Sequence, residues 1–102
     1  MADMITNNDY EKSVLLVNFV KEVRDRATEK QTVTDIRFTP IVGGYEVSFV
    51  CGGKNIQVKA EVKGFFTKKM IIKRYVGGKM TASYKAHSKE EISFCTEQIL
   101  TE

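Results

Sequence analysis

The 102 residues are enough for one domain with a single real core. An apolar fraction of 42% and a charged fraction of 28% are ordinary for a soluble globular protein, and no apolar run approaches the length of a membrane span. The net charge of +3 hides a strong asymmetry: ten of the sixteen Lys and Arg residues lie between Lys54 and Lys89, where Glu61 is the single acid.

The opening segment, Met1 to Asp9, is acidic and polar and does not read as a secretory signal, which sets the expectation of a cytoplasmic protein. Residues 1–7 read as a disordered tail ahead of a single domain spanning 1–102. A first helix follows, with Asn8 as its cap and Glu11 three residues on to close a capping box. Leu16, Phe19, Val20, Val23 and Ala27 fall on one face at helical spacing. Val14 and Val17 lie off that stripe and either widen the buried face or mark a contact with another chain.

After Lys30 the apolar period becomes two. Ile36, Phe38, Pro40 and Val42 share one strand face; Tyr45, Val47, Phe49 and Cys51 the next; Ile56, Val58, Ala60 and Val62 a third. Asn55, Gln57, Lys59, Glu61 and Lys63 take the opposite side of that third strand, so the sheet has one wet face. Gly43-Gly44, Gly52-Gly53 and Gly77-Gly78 mark hairpin turns. A turn centred on Gly43-Gly44 sets Phe38 opposite Phe49 and Ile36 opposite Cys51. One centred on Gly52-Gly53 sets Phe49 opposite Ile56, Val47 opposite Val58, Tyr45 opposite Ala60 and Glu46 opposite Lys59. Pro40 has no N–H for a ladder position, so a four-residue loop or a bulge is expected there, on a strand at the sheet edge.

A turn at Gly77-Gly78 pairs Tyr75 with Met80, Lys73 with Ala82 and Ile71 with Tyr84. The fifth strand then favours the face of Ile71, Lys73 and Tyr75 as core. The fourth strand is apolar on both faces, so Met70, Ile72 and Val76 are either covered or shifted by a bulge. From Ser88 a second capping box with Glu91 opens a closing helix with Ile92, Cys95 and Ile99 on one stripe; a strand from Ile92 to Cys95 is the alternative. The fold class is therefore α+β: a long N-terminal helix packed on a five-stranded antiparallel meander, with a C-terminal helix. This order resembles cystatin-like and NTF2-like architectures, and also Sm-like barrels. Tyr84-Lys85-Ala86-His87-Ser88 is similar to the last-strand motif of the bacterial Sm-like RNA chaperone over five residues. Their order departs from that motif, and no family is assigned on it.

No catalytic constellation is visible. His87 is the one histidine and has no spaced partner; Cys51 and Cys95 read as free core thiols of a reducing compartment; the carboxylates form no acid–base pair. A non-enzymatic protein with no cofactor and no metal is expected. The Gly-Gly-Lys runs at 52–54 and 77–79 connect strand to strand and read as hairpins, not phosphate loops.

What remains is a basic segment interleaved with Phe65, Phe66, Tyr75 and Tyr84. Cations that engage phosphates and aromatic faces that stack on bases are the ingredients of nucleic-acid binding. Lys68, Lys69, Lys73, Arg74, Lys79 and Lys85, with Tyr75 and Tyr84, are the candidate binding residues. The competing reading is a protein-interaction module, an adaptor or inhibitor of the kind common among phage and mobile-element accessory proteins. It would dock on an acidic partner through Met70, Ile72 and Val76, or form a homodimer through the fourth strand. No membrane partner is expected.

Overall fold

The computed structural model describes residues 7–64 and 67–101. Helix α1 (Asn7–Glu29) is followed by strands β1 (Val33–Ile41), β2 (Gly44–Cys51), β3 (Lys54–Lys63), β4 (Lys69–Val76) and β5 (Lys79–Ala86), and then by helix α2 (Lys89–Ile99). Spatial order equals sequence order, β1-β2-β3-β4-β5, and every pairing is antiparallel. β1 and β5 are therefore the two edges of an open sheet, which separates the molecule from a closed Sm-like barrel.

The 23 residues of α1 extend roughly 34 Å. Leu15, Phe19, Val23 and Ala27, four apart, are its buried line, with Leu16 and Val20 half-buried beside it. The expected stripe is rotated slightly, so that Leu15 enters the core ahead of Leu16. Val14 and Val17 remain 39% and 64% exposed and do not widen the buried face. Asn8 lies inside the helix rather than ahead of it, as does Asn7, the last residue of the expected tail; residues 1–6 of that tail lie outside the described residues.

Helix α2 begins as the capping box implies. The Ser88 side chain accepts from the Glu91 N–H at 3.3 Å. The Glu91 carboxylate reaches back one residue further than the motif requires and accepts from the His87 N–H at 2.6 Å. Glu90 and Glu91 also sit at the positive end of the helix dipole. Ile92, Cys95, Thr96 and Ile99 face inward, and the buried Thr96 hydroxyl donates to the Ile92 carbonyl at 2.8 Å.

The β2–β3 hairpin has the register read from sequence: Tyr45 faces Ala60, Glu46 faces Lys59, Val47 faces Val58 and Phe49 faces Ile56. Gly52 and Gly53 both have positive φ, as the tight primed turn requires.

The β1–β2 hairpin departs from its expected register. Ile41 faces Gly44, so the two-residue turn is Val42-Gly43, and Phe38 meets Val47 rather than Phe49. Gly44 is needed in the strand, not the turn: a Cβ there would collide with the Ala60 carbonyl of β3. A bulge at Asp35-Ile36, with Asp35 at φ 55°, then brings Val33 opposite Cys51 in place of Ile36. Pro40 faces Tyr45, next to the pair that closes the turn. In that phase its missing N–H points to the open edge: the expected edge position is present, but the one-residue shift of the turn, rather than a four-residue loop or a bulge at Pro40, accommodates it.

The β4–β5 hairpin contains the bulge that decides its faces. Tyr75 faces Met80 as expected, but Arg74 faces Ala82 and Ile72 faces Tyr84, leaving Thr81 as the extra residue. The side of Ile71, Lys73 and Tyr75 is consequently the outer face. Met70 and Ile72, both 0% exposed, join Val47, Phe49, Ile56, Val58, Ala60 and Ala86 beneath the two helices. The buried cluster lies between this inner face and the helices, and among the described residues no helix covers the outer face.

Candidate functional site

Register assigns the outer-face residues of β3–β5 to rows that run across the strands. Lys63 stands opposite Lys69. The next row is Glu61, Ile71 and Lys85; then Lys59, Lys73 and Ser83; then Gln57, Tyr75 and Met80. Two lysine pairs therefore oppose each other directly across β3 and β4, with Cβ atoms about 5 Å apart. Like charges in that arrangement destabilise a sheet. Glu46 of β2 faces Lys59 from the other side, and Glu61 lies between the two lysine rows. The Lys59 ammonium sits 5.7 Å from the centroid of the Tyr75 ring.

Two carboxylates elsewhere, Glu22 and Glu97, are engaged where the helices meet. Arg26 bridges Glu22 (3.0 Å) and Glu97 (2.8 Å), and Lys30 reaches the other oxygen of Glu97 (2.9 Å). The Lys30 and Arg26 hydrogen bonds hold the Glu97 carboxyl below its ordinary range. Arg26 does the same for Glu22 against the opposing effect of burial, and is itself raised, mainly by Glu22. A carboxyl depressed on folding stabilises above its unfolded value, near 4.5, and loses that contribution as pH falls through its folded one. Glu97→Gln is expected to flatten the pH dependence of thermal stability below about pH 4.5, read by circular dichroism melts. An unchanged acid limb would show that the bridge contributes nothing. Among the described residues, no ion pair includes an outer-face lysine.

The fold divides the sequence-derived candidates. Lys69, Lys73, Lys85 and Tyr75 share the outer face. Arg74 lies on the opposite side, where Nε donates to the Ile99 carbonyl (3.1 Å), Nη2 to the Thr101 carbonyl (3.1 Å) and Nη1 to Thr81 Oγ1 (3.1 Å). It satisfies carbonyls at the C-terminal end of α2, where the helix dipole also favours a cation, so its role is structural. Lys68 lies in the β3–β4 connection and donates to the Gly64 carbonyl at 2.7 Å. Lys79 begins β5 opposite Val76, beside the turn. Tyr84 packs half-buried against the core beneath α2.

The docking patch is also taken apart. Met70 and Ile72 belong to this chain's own core, because the register with β3 sets them beside Val62 and Ala60 and the Thr81 bulge brings Ala86 and Tyr84 of β5 to the same side; Val76 packs half-buried against it. β4 is bonded to β3 on one side and β5 on the other, so it has no edge left for a second copy. Phe65 and Phe66 lie outside the described residues.

Lys59, Lys63 and Gln57 are the outer-face residues that the sequence reading placed on a wet strand but not in the site. Their alternation was visible; their opposition to β4 depends on the register across the Gly64–Lys68 connection, which no turn signature fixes.

Reactive chemistry is sparse. Cys51 and Cys95 are unpaired and buried; the Cys51 thiol lies 3.8 Å from the Leu100 carbonyl, and burial, then Glu91, pushes the Cys95 thiol up. His87 Nδ1 sits 3.3 Å from Glu91 at the start of α2. Among the described residues there is no group of three His, Cys, Asp or Glu side chains that could hold a metal, and no helix long and apolar enough to cross a membrane. The surface carries shallow concavities: one of about 460 Å³ lies between Leu16, Val17 and Val20 of α1 and Tyr45. Another of about 480 Å³ lies between Tyr84 and Phe94, which is 65% exposed. Compared with protein-family models, curated proteins and solved structures, the chain shows no match.

Proposed function

We propose that this protein is a non-enzymatic nucleic-acid-binding module that takes phosphates on the outer face of its sheet. The observation that carries the reading is the pair of direct oppositions, Lys59 with Lys73 and Lys63 with Lys69, on a face that no helix covers. An arrangement that lowers stability in the free protein becomes favourable when a polyanion lies across it, because each phosphate is shared by two ammonium groups. With Lys85, these residues outnumber Glu61 on β3–β5 and set up a local field for anions. Of the C-terminal acids, Glu97 is bound to Arg26 and Lys30, whereas Glu90 and Glu91 line a concavity with Ser83 and Lys85 beside β5. Two unpaired cysteines accord with a reducing, cytoplasmic setting.

The test is fluorescence anisotropy with labelled oligonucleotides, single- and double-stranded, at about 50 and 200 mM salt. Four or five phosphate contacts are expected to weaken binding roughly 10²- to 10³-fold over that interval, with little dependence on sequence. Absence of binding by both forms at the lower salt would end the proposal. The protein-docking alternative is not carried forward, since Met70 and Ile72 are buried.

A further inference from the structure

Lysines that only keep a sheet soluble would be interspersed with small polar residues. On this outer face Ser83, Gln57 and Glu61 are present, but larger, less polar groups stand among the lysine rows as well: Ile71 between them, and the Tyr75–Met80 pair beyond Lys59 and Lys73. Met80 is 56% exposed, and Tyr75 is only half-buried although it lies on an interior strand. Its row presents three different chemistries side by side: the Gln57 amide, the Tyr75 ring and the Met80 thioether. The adjacent row presents two ammonium groups and the Ser83 hydroxyl. Successive rows on one face lie about 6.6 Å apart along the strand. A base and the phosphate of its own nucleotide fit that separation.

The geometry points to a single-stranded nucleic acid as the ligand of this face, with an unpaired base stacked on Tyr75 and its phosphate held by Lys59 and Lys73. This deepens the reading given under Proposed function and rests on it. A paired base offers its face to its neighbours in the duplex, so a ring standing on a sheet surface can stack only on a base free of that stack. A five-stranded sheet is also too broad for the major groove of a duplex, which admits a helix or a two-stranded ribbon. Lys59 links the two rows. In the free protein its ammonium lies over the Tyr75 ring; a stacking base displaces it, and the freed ammonium remains within reach of the phosphate beside Lys73. Gln57 then stands at the edge of the stacked base as a hydrogen-bonding group.

The experiment compares Tyr75→Leu and Tyr75→Phe with the unaltered chain, using a labelled oligonucleotide of about a dozen nucleotides as single-stranded RNA, single-stranded DNA and duplex DNA at low salt. Leucine keeps apolar bulk on the face but has no aromatic ring; phenylalanine keeps the ring. Both keep every charge. The expected result is a preference for single strands over duplex, a roughly ten-fold loss of single-strand affinity in Tyr75→Leu, and near-full retention in Tyr75→Phe. Duplex affinity should be the same in all three proteins, and the RNA and DNA arms identify the favoured backbone. Duplex bound as tightly as single strands, or equal affinities of Tyr75→Leu and the unaltered chain for single strands, would overturn the inference while leaving phosphate binding in place. Failure of every form to bind would remove both readings. Circular dichroism melts verify that each variant is folded; should Tyr75→Leu unfold, Tyr75→Met supplies the ringless comparison and the same outcomes apply.

Discussion

Ile72→Asp is expected to yield no folded protein, while Ile71→Asp, one residue away, is expected to fold with a stability within about 1 kcal/mol of the original. Ile72 is 0% exposed and faces Tyr84 beneath α2; a carboxylate there has no partner and no water. The penalty, at least ~5 kcal/mol, is comparable with the whole stability of a domain this size, about 5–15 kcal/mol. Ile71 points to the opposite side, between Glu61 and Lys85, where aspartate reaches solvent and its repulsion by Glu61 is offset by Lys85. Soluble yield and circular dichroism melts report both variants. The reverse outcome, with Ile71→Asp unfolded and Ile72→Asp folded, would mean that β5 has no bulge at Thr81 and that the inner and outer faces of β4 are exchanged.

Reversing charge at Lys69 and Lys73 together is expected to move stability and binding in opposite directions. In Lys69→Glu/Lys73→Glu each glutamate faces a lysine of β3, so two repulsive oppositions become two cross-strand ion pairs. A gain of about 1 kcal/mol, or a rise in Tm of roughly 4–8 °C, is expected for a domain of this length. The same change removes two phosphate contacts and adds two repulsive charges, so oligonucleotide affinity at low salt should fall by at least roughly 10²-fold. A protein that is both more stable and fully competent to bind would show that these lysines serve only solubility. Proteins that lose stability in a binding face commonly regain it when the face is neutralised, and that trade is the signature sought here.

The parts of the fold that were legible share one property: two independent local signals agreed. For β2 and β3, Gly52-Gly53 supplied the turn and the alternation supplied the faces, and both gave the pairing of Val47 with Val58. Ser88 and Glu91 did the same for α2, together with the stripe of Ile92, Cys95 and Ile99. Where a local signal had two uses, tertiary contact chose between them. Gly43-Gly44 looks like a turn doublet, yet Gly44 is held in the strand by the close approach of the Ala60 carbonyl. Thr81 carries no mark of a bulge; the register shift there aligns Ile72 with Tyr84 and Met70 with Ala86, a benefit visible only once helices cover that face.

The candidate site follows the same division. The concentration of basic residues from Lys54 to Lys89 was legible by counting; alternation set Lys69 and Lys73 on one side of β4 but favoured that side as core, where the structure makes it the outer face. What counting could not show is that Arg74 serves carbonyls twenty-five and twenty-seven residues downstream, or that Lys59 and Lys63 lie against Lys73 and Lys69. Both depend on where separate elements meet.

Because each strand neighbours the one made just before it, the whole sheet can zip together hairpin by hairpin as it is synthesised, with no long loop to close. Its greasy side nevertheless stays incomplete until Ile92, Cys95, Ile99 and Leu100 have emerged from the ribosome. A chain extended only as far as Ala86 therefore has all five strands but lacks the second helix, and that half-roofed sheet is the state a chaperone has most reason to protect.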